Sequence, residues 1–513
     1  MKKRMWSSTQ TLCLLVTLIW GLAAHAYGFL NGNFSHDALN AFYLTEAEIR
    51  WKIELGRYFA PVYHLILRGR VILPWLVGLV SILWVGLAVY FAVRLLDVKS
   101  KPVMVLISGI MITNITVTAQ VATYIHELDC NSFALMLAVL AVWVWRRWRN
   151  LPAFALGAVL LMGSMGTYQA FFSTAVTLMV FRLILDLTED REIKTVFLDG
   201  VRAVGMLLCG AVLYFIVGRY IYRMTGLAPQ SRTDLFTRSG VGSFLAAWTG
   251  LLKGTYLNAY GFLKHAAYSG TVQMLNVLVV GIDVVLVAWL TARTKNRRIA
   301  RVAMACVLML LMPFAMNLTY FLAKGKGVHD LMAYSIWLVH VFALILLSRV
   351  GKPGELGRDV CLGAGCLMVA LVLWQNVQLS NTAYIKKDME ARSTLSNMTR
   401  VVAQMEQRED YAFGETPVAF VGAFNIYGNT PEYTSVEPIM GLGESGAIPT
   451  DFTSYYYNAY KTYFDYVLNY PMVFCEEEMR DSLAQTQQVQ DMPAFPDKGY
   501  MQMIDGVLVV KMG

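Results

Sequence analysis

Asp37 is the residue of this chain best placed to do chemistry. It follows closely on an apolar run that ends at Leu30, within Asn33-Phe-Ser-His-Asp-Ala-Leu-Asn, and so is expected at the outer surface of a membrane. A carboxylate there can take a proton from an acceptor hydroxyl while a lipid-linked donor approaches from the bilayer. A structural reading stands beside it: Ser35 or Asp37 caps a helix entering at Ala38, satisfying the free N–H groups of a first turn. His36 reads as a solvated neighbour.

His126-Glu-Leu-Asp-Cys-Asn gathers His126, Glu127 and Asp129 on the same side as Asp37. Two acidic sites converging there can supply a base and a sugar-hydroxyl anchor, or a weak divalent-cation site. The alternative is a set of solvated loop charges, with Asp129 capping the next span. Glu46 and Glu48 head a helix, where acids complement the N-terminal dipole. Arg57, within Leu55-Gly-Arg-Tyr, suits a charge-assisted bond to a lipid phosphate. Attraction to anionic headgroups accounts for Arg50 and Lys52. Tyr168 and Gln169 open a span at the outer face. Lys324, Lys326 and His329, in Lys324-Gly-Lys-Gly-Val-His-Asp, form a phosphate site or a headgroup contact.

These groups need a membrane scaffold, and the composition supplies one. The chain has 513 residues, 57% hydrophobic and only 15% charged, well short of the roughly 25% that covers a soluble surface. Windows of about twenty residues give about eleven spans: Thr11–Leu30, Val71–Leu96, Val103–Tyr124, Ser132–Trp145, Leu151–Met165, Ala170–Leu187, Val196–Tyr222, Val272–Ala292, Ile299–Leu322, Met332–Leu347 and Val360–Leu379. The first, behind Met1-Lys-Lys-Arg, resembles a signal sequence but is read as an uncleaved span. Asn114, Thr116 and Gln120 lie within the third, where uncharged polar groups bond across helices.

Basic residues mark one set of alternate connections: Lys2/Lys3/Arg4, Arg94/Lys99/Lys101, Arg146/Arg147/Arg149, Arg191/Lys194, Arg293 to Arg301, and Arg349/Lys352/Arg358. The positive-inside rule puts these in the cytoplasm, and an odd number of spans puts the C-terminus outside. The long outer connections, residues 31–70 and 223–270, read as helical. Ala47 to Arg70 suits a helix lying in the membrane interface, and Gly250 to Ala267 a second. From Ser380 the composition is that of a soluble α/β unit. Asp388 to Arg408 is a polar helix, Val418-Ala-Phe-Val a strand, Asn425 to Pro449 a Gly-rich loop, and Tyr455 to Tyr470 a tyrosine-rich helix. Asp505-Gly506 turns a hairpin. The domains are thus 1–379 and 380–513.

The net charge of +8 follows the orientation pattern and forms no aromatic-interleaved stripe, which argues against nucleic acid. Five of the seven cysteines lie in apolar runs, and Cys130 and Cys475 are read as unpaired thiols. The chain lacks a phosphate-binding glycine loop and HExxH, and no ionisable series runs through consecutive spans as proton-coupled transport would need.

Ser35-His-Asp-Ala-Leu, Trp51-Lys-Ile-Glu-Leu-Gly-Arg-Tyr, Val71-Ile-Leu-Pro-Trp-Leu, Asp129 with Phe133-Ala-Leu-Met-Leu-Ala-Val-Leu-Ala, Thr167-Tyr-Gln-Ala and Asn381-Thr-Ala-Tyr occur in order along nearly the whole chain. In these the chain resembles the Gtr-type membrane glucosyltransferases that decorate bacterial surface polysaccharides such as O-antigen. The resemblance implies a mostly α, polytopic GT-C-like bundle with a small extracytoplasmic α/β domain, in the bacterial inner membrane. It implies a sugar, commonly glucose, carried on polyprenyl phosphate, a surface glycan as acceptor, and inverting transfer. A donor-synthesising glycosyltransferase and a flippase would be its partners in the cell. By carry-over Asp37 is the general base, Arg57 meets the donor phosphate, and Asp129, Tyr168 and Gln169 contact substrate. Ala38 after Asp37 leaves no neighbouring acid pair, which favours metal-independent chemistry without cofactor. The competing readings are a diphosphate-lipid-dependent polymerase or ligase, a lipid-linked sugar flippase, and a non-catalytic glycan-binding scaffold.

Overall fold

The computed structural model describes residues 8–32, 34–230, 238–265, 270–294, 298–325, 328–351, 354–422 and 460–512, with backbone alone at a few of them, His36 included. Lys2, Lys3, Arg4, Lys295, Arg297, Lys326 and Lys352 lie outside these residues, as do the expected Gly-rich loop and residues 455–459 of the tyrosine-rich helix.

After α1 (Ser8–Asn31) the first long connection folds into α2 (His36–Asn40), α3 (Glu46–Glu54) and α4 (Ala60–Tyr63), the last continuing as a wider turn to Arg68. Then follow α5 (Pro74–Leu95), α6 (Lys101–Thr113), α7 (Ile115–Thr123), α8 (Leu128–Arg147), α9 (Leu151–Thr167), α10 (Phe171–Thr188) and α11 (Ile193–Thr225). The rest of the bundle is α12 (Arg238–His265), α13 (Gly270–Ala292), α14 (Arg298–Met316), α15 (Leu318–Leu322), α16 (Leu338–Ser348) and α17 (Leu356–Glu406). Every expected span carries helix. Among the described residues nine helices, counting α6 with α7, are long and apolar enough to cross a bilayer, while α9 and the segment Tyr334–Ser348 are shorter.

Local chemistry explains where the helices depart from the hydropathy reading. The third span breaks at Asn114, whose extended backbone and side chain, accepting from Val117 N–H at 3.3 Å, start a new helix. Its amide also donates to Ile110 O at 3.0 Å, and its side chain bonds Tyr334 across the bundle. Thr116 and Gln120 also reach across, to the carbonyls of Asp330 (2.6 Å) and Leu331 (2.9 Å). The single interfacial helix expected over Ala47–Arg70 is two, because Gly56 takes a positive φ of 74° and Pro61 opens a new first turn. The second expected interfacial helix begins earlier, at Arg238, and packs along α13, α14 and α15.

Helices α1 and α5 approach closely because glycines on each, Gly21, Gly78 and Gly86, make room for large side chains of the other, Ile82, Phe29 and Leu14. A Cβ built at Gly78 would lie 2.5 Å from the Phe29 ring. Gly78→Val should therefore cost about 1–3 kcal/mol through overpacking, read as a lower midpoint in thermal unfolding of the detergent-solubilised protein. An unchanged midpoint would mean that the two helices separate easily.

Several of the described basic residues in the expected cytoplasmic connections form ion pairs. Asp186 is buried between Arg146 and Arg191, each at 2.9 Å, and Arg182. Arg182, fully buried, also meets Asp97 at 2.9 Å and Glu189 at 2.7 Å. Arg301 pairs with Asp190 at 3.1 Å, and Arg349 with Glu189.

The expected boundary at Leu379 falls inside α17. Its 51 residues join the last span to the polar helix without interruption, because no Gly or Pro occurs between Ser380 and Glu406. Beyond it β1 (Val418–Val421), β2 (Met501–Ile504) and β3 (Val507–Lys511) form a sheet ordered β1-β3-β2, with β1 parallel and β2 antiparallel to β3. Asp505 and Gly506, both at positive φ, close the expected hairpin. The sheet's core takes in Met398 and Val401 of α17, Tyr460 and Phe464, and also Leu39 of α2. The C-terminal segment is thereby tied to the connection between α1 and α5.

Candidate active site

A cavity of about 1330 Å³ opens where α2, α3, the α9–α10 junction, α11, α14–α15 and residues 461–466 meet. Asp37 lines it from the first turn of α2, half-buried. Ser35 is the cap: its Oγ accepts from Ala38 N–H at 3.3 Å and donates to Thr123 O at 2.5 Å. Capping thus belongs to Ser35, and α2 is anchored to the end of α7.

Helix α3 is capped by Thr45, which accepts from Glu48 N–H at 3.2 Å. One turn on, Glu48 and Lys52 both line the cavity. Lys52 is only 3% exposed, with its ammonium 2.9 Å from Glu127 and 3.7 Å from Glu48. Attraction to headgroups does not describe a lysine so enclosed. Burial holds the Glu48 carboxyl above its ordinary range against the pull of Lys52, and the charges of Glu127 and Asp37 push the same way. Asp37 therefore does have an acidic neighbour in space, supplied eleven positions along the chain.

Arg57 follows the turn at Gly56 and lies over the Tyr168 ring, 4.8 Å from its centroid, with its Nε buried and not hydrogen-bonded. Tyr168 is itself buried, which pushes its hydroxyl up to about 12 despite Arg57 nearby. Gln169 donates to Leu55 O at 2.7 Å and to the Tyr214 hydroxyl at 3.1 Å, pinning the α9–α10 junction to the loop that carries Arg57. Both residues line the cavity, as does His329.

The second expected outer loop is no exposed connection. His126, Glu127 and Asp129 are 1–3% exposed, because a single tight turn, Ile125–Glu127, leads straight into α8. His126 lines the cavity, stacked on Tyr124 at 5.3 Å, with Nδ1 lacking a hydrogen bond. Glu127 lies behind Lys52. Asp129 pairs with Arg68 at 2.9 Å, and neither acid lines the cavity. Lys324 donates to Ser243 at 2.9 Å and also lies outside the lining. The structure thus brings together Asp37, Arg57, His126, Tyr168, Gln169 and His329, and sets Glu127, Asp129 and Lys324 apart.

His64, Glu127 and Cys130 bring donor atoms within 4.8 Å of one another. The Lys52 ammonium already supplies the positive charge beside Glu127, and burial lowers His64 to about 4, keeping it neutral. Cys130 and Cys475 are both free thiols.

Lys461, Thr462, Asp465 and Tyr466 complete the lining. Sequence reasoning singled out their segment, Tyr455 to Tyr470, only as the glycan-binding part of the scaffold alternative and did not place these four in the site, and it assigned Lys52 to lipid. The cavity is polar at this end. Its other wall is apolar, built from Val204, Leu207, Leu208 and Phe215 of α11 with Phe314, Leu318 and Leu322 of α14–α15. Val204 and Leu208 are more than half exposed, so this wall continues onto the outer face of the bundle. Such a chamber can hold an amphiphile, its charged end beside Asp37, Lys52 and Arg57 and its tail along α11.

A family model described as Glucosyl transferase GtrII matches residues 26–343, which contain every lining residue except those at 461–466. No curated protein and no solved structure matches the chain.

Proposed function

The chain belongs to the GtrII glucosyltransferase family, a multi-pass membrane glycosyltransferase, and from that premise we propose that it moves glucose from polyprenyl phosphate to a surface glycan at the outer leaflet. One observation carries the reading: a carboxylate and two cations, Asp37 with Lys52 and Arg57, share a cavity whose far wall is apolar and opens toward lipid.

The donor's isoprenoid chain lies along α11 and α14–α15, and its phosphate sits by Arg57 and Lys52. An acceptor hydroxyl loses its proton to Asp37 as its oxygen attacks the anomeric carbon. The bond from that carbon to the phosphate oxygen breaks with its electron pair, and polyprenyl phosphate leaves. One displacement inverts the configuration. The cations stabilise the charge growing on the phosphate. The ion-paired ends of α8, α10 and α14 form the cytoplasmic side, and they favour a closed inner face over a pathway through the bilayer.

Two measurements address the donor. Protein in lipid nanodiscs is expected to transfer glucose from polyprenyl-phosphate glucose and not from the diphosphate-linked sugar; the opposite preference would make it a polymerase or ligase. Tyr168→Leu removes the ring beneath Arg57, an interaction worth about 0.5–2 kcal/mol, and should raise donor KM about twofold to thirtyfold. Tyr168→Phe keeps the ring face and should stay near wild type. Equal KM values in all three would remove Arg57 from the phosphate site.

A further inference from the structure

Three aromatic side chains stand in the lining with large free faces: Tyr43 (44% exposed), Trp51 (45%) and Tyr466 (64%). Their backbones are well held. Tyr43 pairs with Val71 in a short bridge, beside the bond from Leu44 N–H to Arg70 O at 2.8 Å. Trp51 lies on α3, next to Lys52. Tyr466 stacks on Phe42, ring centroids 5.4 Å apart and planes 23° from parallel, and Phe42 in turn meets Phe34 edge-on. Lys461 and Asp465 line the cavity beside Tyr466.

Building on the glycosyltransferase reading above, we propose that this mouth is the acceptor subsite. Sugar rings of a carbohydrate chain lay their C–H faces on Tyr43, Trp51 and Tyr466, and their hydroxyls bond Asp465 and Lys461. Pyranose rings are apolar on their faces and polar at their rims. Rigid aromatic plates cover such faces at little entropic cost, while charged side chains at the edge select the hydroxyl pattern. An aromatic belt at the headgroup level would set its rings against lipid around the bundle. Here all three border one cavity, and Tyr466 belongs to the segment that packs around the outer sheet. The apolar wall lies along α11 and α14–α15, which leaves this side for the acceptor. Tyr466, Asp465 and Lys461 also fall beyond residues 26–343. Acceptor choice is then written partly outside the stretch that defines the family, so members can share the chemistry and differ in the glycan they modify.

The test separates the two substrates. Wild type, Trp51→Ala, Tyr466→Ala and Tyr466→Phe in nanodiscs are given polyprenyl-phosphate glucose and lipid-free surface polysaccharide from the source cell. Each alanine variant is expected to raise acceptor KM about fivefold to tenfold, with donor KM within roughly twofold and Tyr466→Phe close to wild type. An unchanged acceptor KM overturns the subsite, and so does a joint rise in both KM values, which marks a general collapse of the mouth. Saturation-transfer NMR of the polysaccharide on donor-free protein reads the subsite independently. A transfer signal that disappears in Tyr466→Ala and persists in Tyr466→Phe supports it, and equal signals in both overturn it. A wild type that binds polysaccharide yet uses neither lipid donor would refute the donor assignment and leave the subsite standing.

Discussion

Asp37→Asn should lower kcat for sugar transfer by about 10²–10⁴-fold, the range that positioned acid–base groups supply, with donor KM nearly unchanged. The substitution keeps the side chain's shape and removes its capacity to accept a proton. It also leaves the helix cap in place: the α2 cap is Ser35, tied to Thr123 O at 2.5 Å, and Leu39 of the same helix anchors in the core of the C-terminal sheet. A loss of activity would therefore report on chemistry. Glu48→Gln is the informative companion, because that carboxyl lines the same cavity and is electrostatically coupled to Asp37. Full activity in Asp37→Asn together with a dead Glu48→Gln would move the role of base to Glu48.

The second large effect concerns Glu127. Its partner Lys52 has almost no access to solvent, so Glu127→Ala would leave a buried ammonium with only the longer 3.7 Å contact to Glu48, a change that costs up to about 3–5 kcal/mol. The measurement is the unfolding midpoint in nanodiscs. Replacing both partners, Lys52→Met with Glu127→Leu, should return most of that stability, because apolar groups of similar volume often substitute well for a buried pair. Transfer should stay low in the double variant, since one of the two cations proposed to hold the donor phosphate is gone. Wild-type stability in Glu127→Ala would mean that the pair is dispensable, and normal transfer in the double variant would take Lys52 out of the site.

The scaffold was largely legible in the sequence because membrane burial leaves a strong, local record. Runs of apolar residues predict the spans, and the alternation of arginines predicts which ends share a side. The α2 region was readable for the same reason, since Ser35 and Asp37 stand just beyond the first apolar run. What escaped depends on contacts far apart in sequence. His126 to Asp129 look like loop residues until Lys52, His64 and Arg68 pack over them. Lys52 looks like a headgroup lysine until Glu127 arrives from seventy-five positions away. Asn114 is an ordinary polar residue within an apolar run, and only its backbone reveals the break. Residues 461–466 reach the cavity across some four hundred positions, and no periodicity or spacing records such a meeting.

The uninterrupted 51-residue helix α17 has a geometric consequence. At 1.5 Å per residue it is about 75 Å long, and it belongs at once to the bilayer-spanning bundle and to the core of the C-terminal sheet. The roof of the chamber is thus indexed to the membrane by rotational phase. One residue inserted past Ser380 would swing everything above it by about 100° and raise it about 1.5 Å, carrying Tyr466 away from Phe42. Four residues would restore nearly the original heading about 6 Å higher. Changes in the height of the roof are therefore permitted in near-whole turns, and a lineage that reaches for a bulkier polymer would be expected to lengthen this strut in such steps.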